Sequence, residues 1–256
     1  MLATLALLAG CAAAPSGRDL VPRLAGLKLG EREDVIWREF TAGHVPAFLQ
    51  RRIAVKTTAT IRGREHEAKF FVAPDYFGLG RDDDWLRLPI RPQLAQRIAD
   101  RLDCVLPTRR MVDAIWAAAG ERLEPVPFDP KSHDICAMSV FAAHHAAIER
   151  QRGATPPGAP VAGIKKDIVC SALLATFPDR VVIYGWHHTD GKPIQPLSKV
   201  HTTSHVDYSH GCRLVARRMT VDGRATTVDA VLADPELCAL LSDEGPIAAA
   251  RCVGTK

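Results

Sequence analysis

The chain has 256 residues, 47% hydrophobic and 24% charged, with 33 basic against 29 acidic side chains and a net charge of +4. That length and balance belong to a globular chain able to bury its own core, and they exclude a disordered, collagen-like or repeat-built protein. The basic residues fall in scattered pairs, Arg51–Arg52, Arg109–Arg110, Lys165–Lys166 and Arg217–Arg218, which is not the continuous basic stripe of a nucleic-acid binder, so no nucleic-acid partner is expected.

The N-terminal stretch MLATLALLAGCAAAPSG is an apolar run closed by Leu8-Ala9-Gly10-Cys11 and followed by small residues. It resembles a bacterial lipoprotein signal, which is cut before the cysteine so that the thiol can be lipidated, although no Lys or Arg precedes its apolar core. The resemblance implies export, a lipid anchor on Cys11 and a membrane-tethered protein on the periplasmic side. Residues 1–17 are then signal and tether, and 18–256 one domain with a sub-boundary at 153–163. The apolar run is well short of the ~20 residues of a membrane-spanning helix. In an oxidising compartment the remaining cysteines can pair, and Cys238 with Cys252, the closest in sequence, is the pair expected. No Cys-x-x-Cys occurs, which removes the usual zinc-ribbon and thioredoxin readings.

Further along, EREDVIWREF and HVPAFLQRR carry apolar residues at helical spacing, and IAVKTTATI and HEAKFFVA, rich in β-branched and aromatic residues around RGRE, predict a hairpin. PDYFGLGRDDDWLRLPIRP reads as loop, where Asp75 and Tyr76 would line a pocket only if that loop folds over the C-terminal half. RPQLAQRIADRL and PTRRMVDAIWAAAG predict two helices, and ICAMSVFAAHHAAIERQR a third, with one face of the His144–His145 pair in the core. After the linker GATPPGAP come the strand patterns DIVCSALL, RVVIYGW and CRLVARRMTV, a turn at VDGR and a helix around DPELCALLSD. The expected fold class is α+β, with an N-terminal helical half carrying a β-hairpin and a strand-rich C-terminal half.

The chemistry concentrates in that second half. Five of the ten histidines fall between His187 and Arg213, together with Asp190, Asp207, Tyr208 and Ser209. Packing gives no reason to gather imidazoles so densely, whereas proton transfer near neutral pH and metal binding both do.

Within this stretch SHGCRL resembles the signature of the L,D-transpeptidases, cell-wall enzymes with a catalytic cysteine. The resemblance implies Cys212 as nucleophile, His201 or His188 as its base, His210 as polar support and Arg213 as a holder of substrate charge. In that family a residue separates Cys from Arg; here they are adjacent. A wider set of segments (VAPDYFGLG, AQRIADRLDCVLPTRRMVDAIW, KKDIV, YGWHHTDGKPIQPLSKVH and VDYSHGCRLV) is similar to an uncharacterised family of exported bacterial proteins with a V-D-Y-S-H-G motif. That family has an aliphatic residue at the position of Cys212 and a histidine at that of Ile164, which implies that Cys212 is a small buried hydrophobe.

A second reading is therefore independent of cysteine. Ser209, His201 or His188, and Asp207 supply a nucleophile, a base and an orienting carboxylate, with Lys166, Asp167 and Tyr208 as candidate substrate-binding residues. The third reading is a zinc site from His201, His205, Asp207 and His210; the first two readings need no metal or other cofactor. The function expected is an exported hydrolase or acyl transferase acting on peptidoglycan or another cell-envelope polymer. The alternatives are a metal-dependent hydrolase and a non-catalytic lipoprotein that holds an envelope polymer or small ligand.

Overall fold

The computed structural model describes residues 13–253, an α+β fold. Cys11 and most of the signal-like stretch lie outside the described residues. Ser16 opens helix α1 (Gly17–Leu24) with a capping box, its side chain accepting from the Asp19 N–H while the Asp19 carboxylate accepts from the Ser16 N–H. Gly17, expected in the tether, is thus the first helical residue. It lies so close to the Trp85 backbone that a Cβ would approach it to 2.5 Å.

Helix α2 (Leu29–Thr41) buries Ile36 and Phe40, and a single 3-10 turn, Ala47–Gln50, stands in place of a second helix after Pro46. The hairpin is as expected: β1 (Ile53–Ile61) and β2 (Arg64–Val72) pair over nine residues. Arg62 and Gly63, both at positive φ, make the kind of two-residue turn that matches strand twist. Where a loop was expected, β3 (Gly78–Gly80) and β4 (Trp85–Arg87) form a short ribbon.

Next come α3 (Pro92–Arg101), β5 (Cys104–Val105), α4 (Arg109–Ala118) capped by Thr108, β6 (Glu121–Arg122) and α5 (Met138–Arg152). The C-terminal part adds β7 (Val161–Ala162), β8 (Lys166–Ile168), β9 (Ile183–His187), β10 (Pro193–Ser198), β11 (His210–Gly211), β12 (Val215–Ala216), β13 (Arg218–Val221), β14 (Arg224–Thr227) and α6 (Val228–Ala233). The last helix precedes DPELCALLSD rather than covering it. Asp234 turns its carboxylate onto the Glu236 and Leu237 N–H groups, and only a 3-10 turn, Leu237–Leu240, follows.

The larger sheet runs β14-β13-β2-β12-β5 with β1 also on β2, and the smaller runs β10-β9-β8-β11. Because β2 pairs with both β12 and β13, the helical and strand-rich halves share one sheet. The main apolar core joins α1, α2, α3 and α5 to the smaller sheet through residues such as Leu20, Phe40, Ile98, Phe141, Ile168 and Ile183. The six described cysteines are all free, so the expected Cys238–Cys252 disulfide is absent: both thiols are buried, Cys252 in the main core.

Candidate functional site

The site is built on the parallel pair β8–β11, where Lys166 lies opposite His210 and Asp167 opposite Gly211. Side chains alternate across a strand, so this pairing sends Lys166 and His210 to one face and Asp167 to the other. The parallel contact is locked by the Lys166 N–H donating to the Ser209 carbonyl at 2.8 Å.

On the first face the turn after His201 brings three ligand-type residues together. The Asp207 Oδ1 accepts from the Ser209 N–H at 2.7 Å and from the Ser209 hydroxyl at 2.5 Å. Its Oδ2 is left facing the imidazoles, 3.3 Å from His205 Nε2 and 4.0 Å from His210 Nε2. His210 has a side chain 0% exposed, and neither of its ring nitrogens has a hydrogen-bond partner. His205, Asp207 and His210 each offer one ligand atom, all within 4.8 Å of one another. His201 stacks on His205 with ring centroids 4.1 Å apart.

Electrostatics sets the protonation states of these groups. Burial, joined by the charges of His205, Lys166 and His201, outweighs Asp207 and pushes His210 down to about 3, so at neutral pH its imidazole is uncharged. Burial alone would raise the Asp207 carboxyl, but His210, the Ser209 bonds and Lys166 hold it well below the usual carboxylate range. Burial and the neighbouring His205 also depress His201. Neutral imidazoles beside an ionised carboxylate are the protonation states a divalent metal requires.

The opposite face carries a different arrangement. The terminal nitrogens of Arg213 donate to the carbonyls of Ala73, Pro74 and Val161, and its guanidinium lies 4.0 Å over the Tyr76 ring. Tyr76 donates its hydroxyl to Asp167 Oδ2 at 2.8 Å. Asp167 Oδ1 and Arg213 Nε stand 3.9 Å apart without a hydrogen-bond partner. Both line a small cavity shared with Tyr76, Trp116 and His187. Burial pushes the Asp167 carboxyl up to about 6, against the pull of Arg213 and Tyr76. His187 Nε2 is 3.0 Å from Asp113 Oδ1, which also accepts from the Tyr184 hydroxyl at 2.9 Å. Beyond Tyr76, Arg87 makes a two-point bond to Asp75, at 2.8 and 2.5 Å, and a third to Glu149 at 2.6 Å. The loop at Asp75 and Tyr76 thus folds over the C-terminal half, as the cavity requires.

The candidate residues divide between these places. His205, Asp207 and His210 meet, with His201, Ser209 and Lys166 alongside. His188 does not join them: it is at the exposed β9–β10 turn, its Nδ1 2.9 Å from Glu124. Cys212 is 1% exposed in the main core, and burial pushes its thiol well up. A protonated, enclosed thiol is no nucleophile, which corrects the cysteine reading. Arg213 and Asp167 serve the opposite face. Ser209 gives its hydroxyl to Asp207 rather than to an imidazole, so no serine–histidine pair forms. Tyr208 is buried, its hydroxyl oxygen accepting from the Phe128 N–H at 2.6 Å.

Three participants escaped the sequence. Lys165, fully enclosed, donates to the Tyr208 carbonyl and approaches His144 Nδ1 to 3.2 Å; burial and Arg87 push its amine down to about 7. Asp113 sits in an ordinary helical pattern. Trp186 holds a left-handed φ of 58° after Gly185 at 104°, and this double irregularity lets Tyr184 and His187 reach the same Asp113. Doubled glycine-aromatic irregularity has no periodic signature; only the glycine in YGW hinted at it.

No family model matches the chain, and no curated protein or solved structure is significantly similar to it.

Proposed function

We propose that the chain is a metal-dependent hydrolase whose zinc ion is held by His205, Asp207 and His210. The observation that carries this reading is His210, an imidazole wholly inside the protein with both ring nitrogens unpartnered, beside a carboxylate oxygen and a second imidazole. Unpaired buried polar groups each cost about 1–3 kcal/mol, and a cation bound to Nε2 removes that cost at one nitrogen. Two imidazoles and one carboxylate are a ligand set typical of catalytic zinc, which leaves a fourth position for water.

The other residues fit supporting roles. Ser209 fixes Asp207 through Oδ1, as the outer partners of metal ligands do, and Oδ2 is thereby presented to the ion. When bound, zinc supplies a water acidified toward neutral pH and polarises the bond under attack. His201, half-buried and stacked on His205, would be the uncharged imidazole next to the ligand set that could accept a proton there. Export and a lipid anchor, proposed from the lipoprotein-like N-terminus, direct the activity to an envelope polymer, peptidoglycan foremost. The test is conversion of a peptidoglycan digest by the soluble protein lacking the first 12 residues. Turnover abolished by a chelator, restored by zinc and reduced about 100-fold or more in His210→Ala supports the proposal; turnover indifferent to chelator overturns it.

A further inference from the structure

One charged group beside the cluster has no role in holding the metal. Lys166 is opposite His210 on the parallel strands and shares its face. Its ammonium lies 5.2 Å over the Trp186 ring, and among the described residues no carboxylate stands within ion-pair distance of it. Half-buried, the side chain is confined by strand and indole rather than swinging freely in solvent. Trp186 is itself held at φ 58°, a conformation that costs a bulky residue about 1–3 kcal/mol and collects at functional sites. The strained residue is the one that forms the platform under this ammonium.

The charge balance states what the ammonium is for. A zinc ion with one carboxylate and two neutral imidazoles would retain one positive charge, and Lys166 adds a second on the same face. A site with two such positive centres on one face favours a substrate that brings negative charge. We propose that Lys166 is the substrate-anion residue of this site, binding an oxygen-centred negative charge, a carboxylate or a phosphate, carried by the substrate next to the bond that is hydrolysed. The inference rests on the metal reading above and adds the substrate's charge class to it.

The test uses cobalt in place of zinc, because cobalt bound by nitrogen and oxygen ligands absorbs visible light and reports new ligands. The cobalt-loaded protein is titrated with inorganic phosphate and, separately, with acetate. Saturable spectral change is expected with one or both, and its affinity falls about tenfold or more in Lys166→Gln and in Lys166→Met, a loss in the range of a desolvated charge pair. Lys166→Arg restores most of it. Cobalt is bound at least as tightly as in the wild type in all three variants, and the thermal midpoint stays at the wild-type value. Tighter phosphate than acetate assigns the position to a phosphoryl group, and the reverse to a carboxylate. Wild-type anion affinity in both Lys166→Gln and Lys166→Met, or no anion binding by the cobalt protein, overturns this inference while the metal reading stands. Failure to bind cobalt at all overturns both.

Discussion

At His210 the protein encloses an imidazole and leaves both nitrogens without a partner, an expense that folding alone does not explain. Its neighbours are arranged around it: Ser209 gives its N–H and its hydroxyl to one oxygen of Asp207, and the other oxygen, hydrogen-bonded to His205 Nε2 at 3.3 Å, faces the imidazoles. Ser209→Ala therefore weakens zinc affinity about 10–100-fold while the three ligands remain; competition with a chromophoric chelator measures it, and unchanged affinity contradicts the role. Lys165 makes a separate claim. Its amine titrates near 7 in the fold but near its ordinary value of about 10.4 in the unfolded chain. Burying this amine disfavours folding, whether it is enclosed charged or must first lose its proton, and the cost is full below pH 7 and vanishes as pH approaches the unfolded value. The stability of Lys165→Met relative to wild type is thus greatest near pH 7 and declines by about 1.4 kcal/mol per pH unit above it. Urea unfolding at pH 7 and pH 9 checks this, and a pH-independent difference contradicts it.

At the scale of elements, β8 and β11 divide two chemistries between their faces, and Gly211 makes the division fit. A Cβ there would come within 2.5 Å of the Tyr76 ring and 2.8 Å of Lys165 Cβ, so Gly211→Ala displaces Tyr76 from Asp167. A loss of about 1–3 kcal/mol is expected, as for overpacked cores, and a urea midpoint equal to wild type contradicts the packing account. The elements with strong local signals were legible: the β1–β2 hairpin from its alternation and RGRE turn, α3 from Pro92 at its first position, α4 from Thr108. Those decided by tertiary context were not. The helix expected at DPELCALLSD lost to Asp234 bonding its own backbone, and the loop holding Gly78 and Gly80 became a ribbon because α1 packs on it. The polar stretch from His201 to His210 was legible as a candidate site, since its histidines are dense in sequence. Which of them meet was not, because the turn that joins His205, Asp207 and His210 has no regular period. Cys212 shows the reverse error, a motif-like position that the core absorbed.

For the whole molecule, the shared sheet ties the two halves of the chain into one fold: β2 of the first half pairs with β12 and β13 of the second, which follow β11 in sequence. A ligand that binds only the folded state stabilises all of it, by roughly 2.7 kcal/mol at a hundredfold excess over its dissociation constant. If His205, Asp207 and His210 bind zinc as proposed, zinc raises the global melting temperature rather than only altering a loop. The most direct measurement is the zinc content and thermal midpoint of the metal-stripped protein before and after addition of zinc, in wild type and His210→Ala. One zinc per chain with a rise of several degrees, both absent in His210→Ala, is the predicted result. A wild-type protein that takes up no zinc, or takes it up equally without His210, contradicts the account.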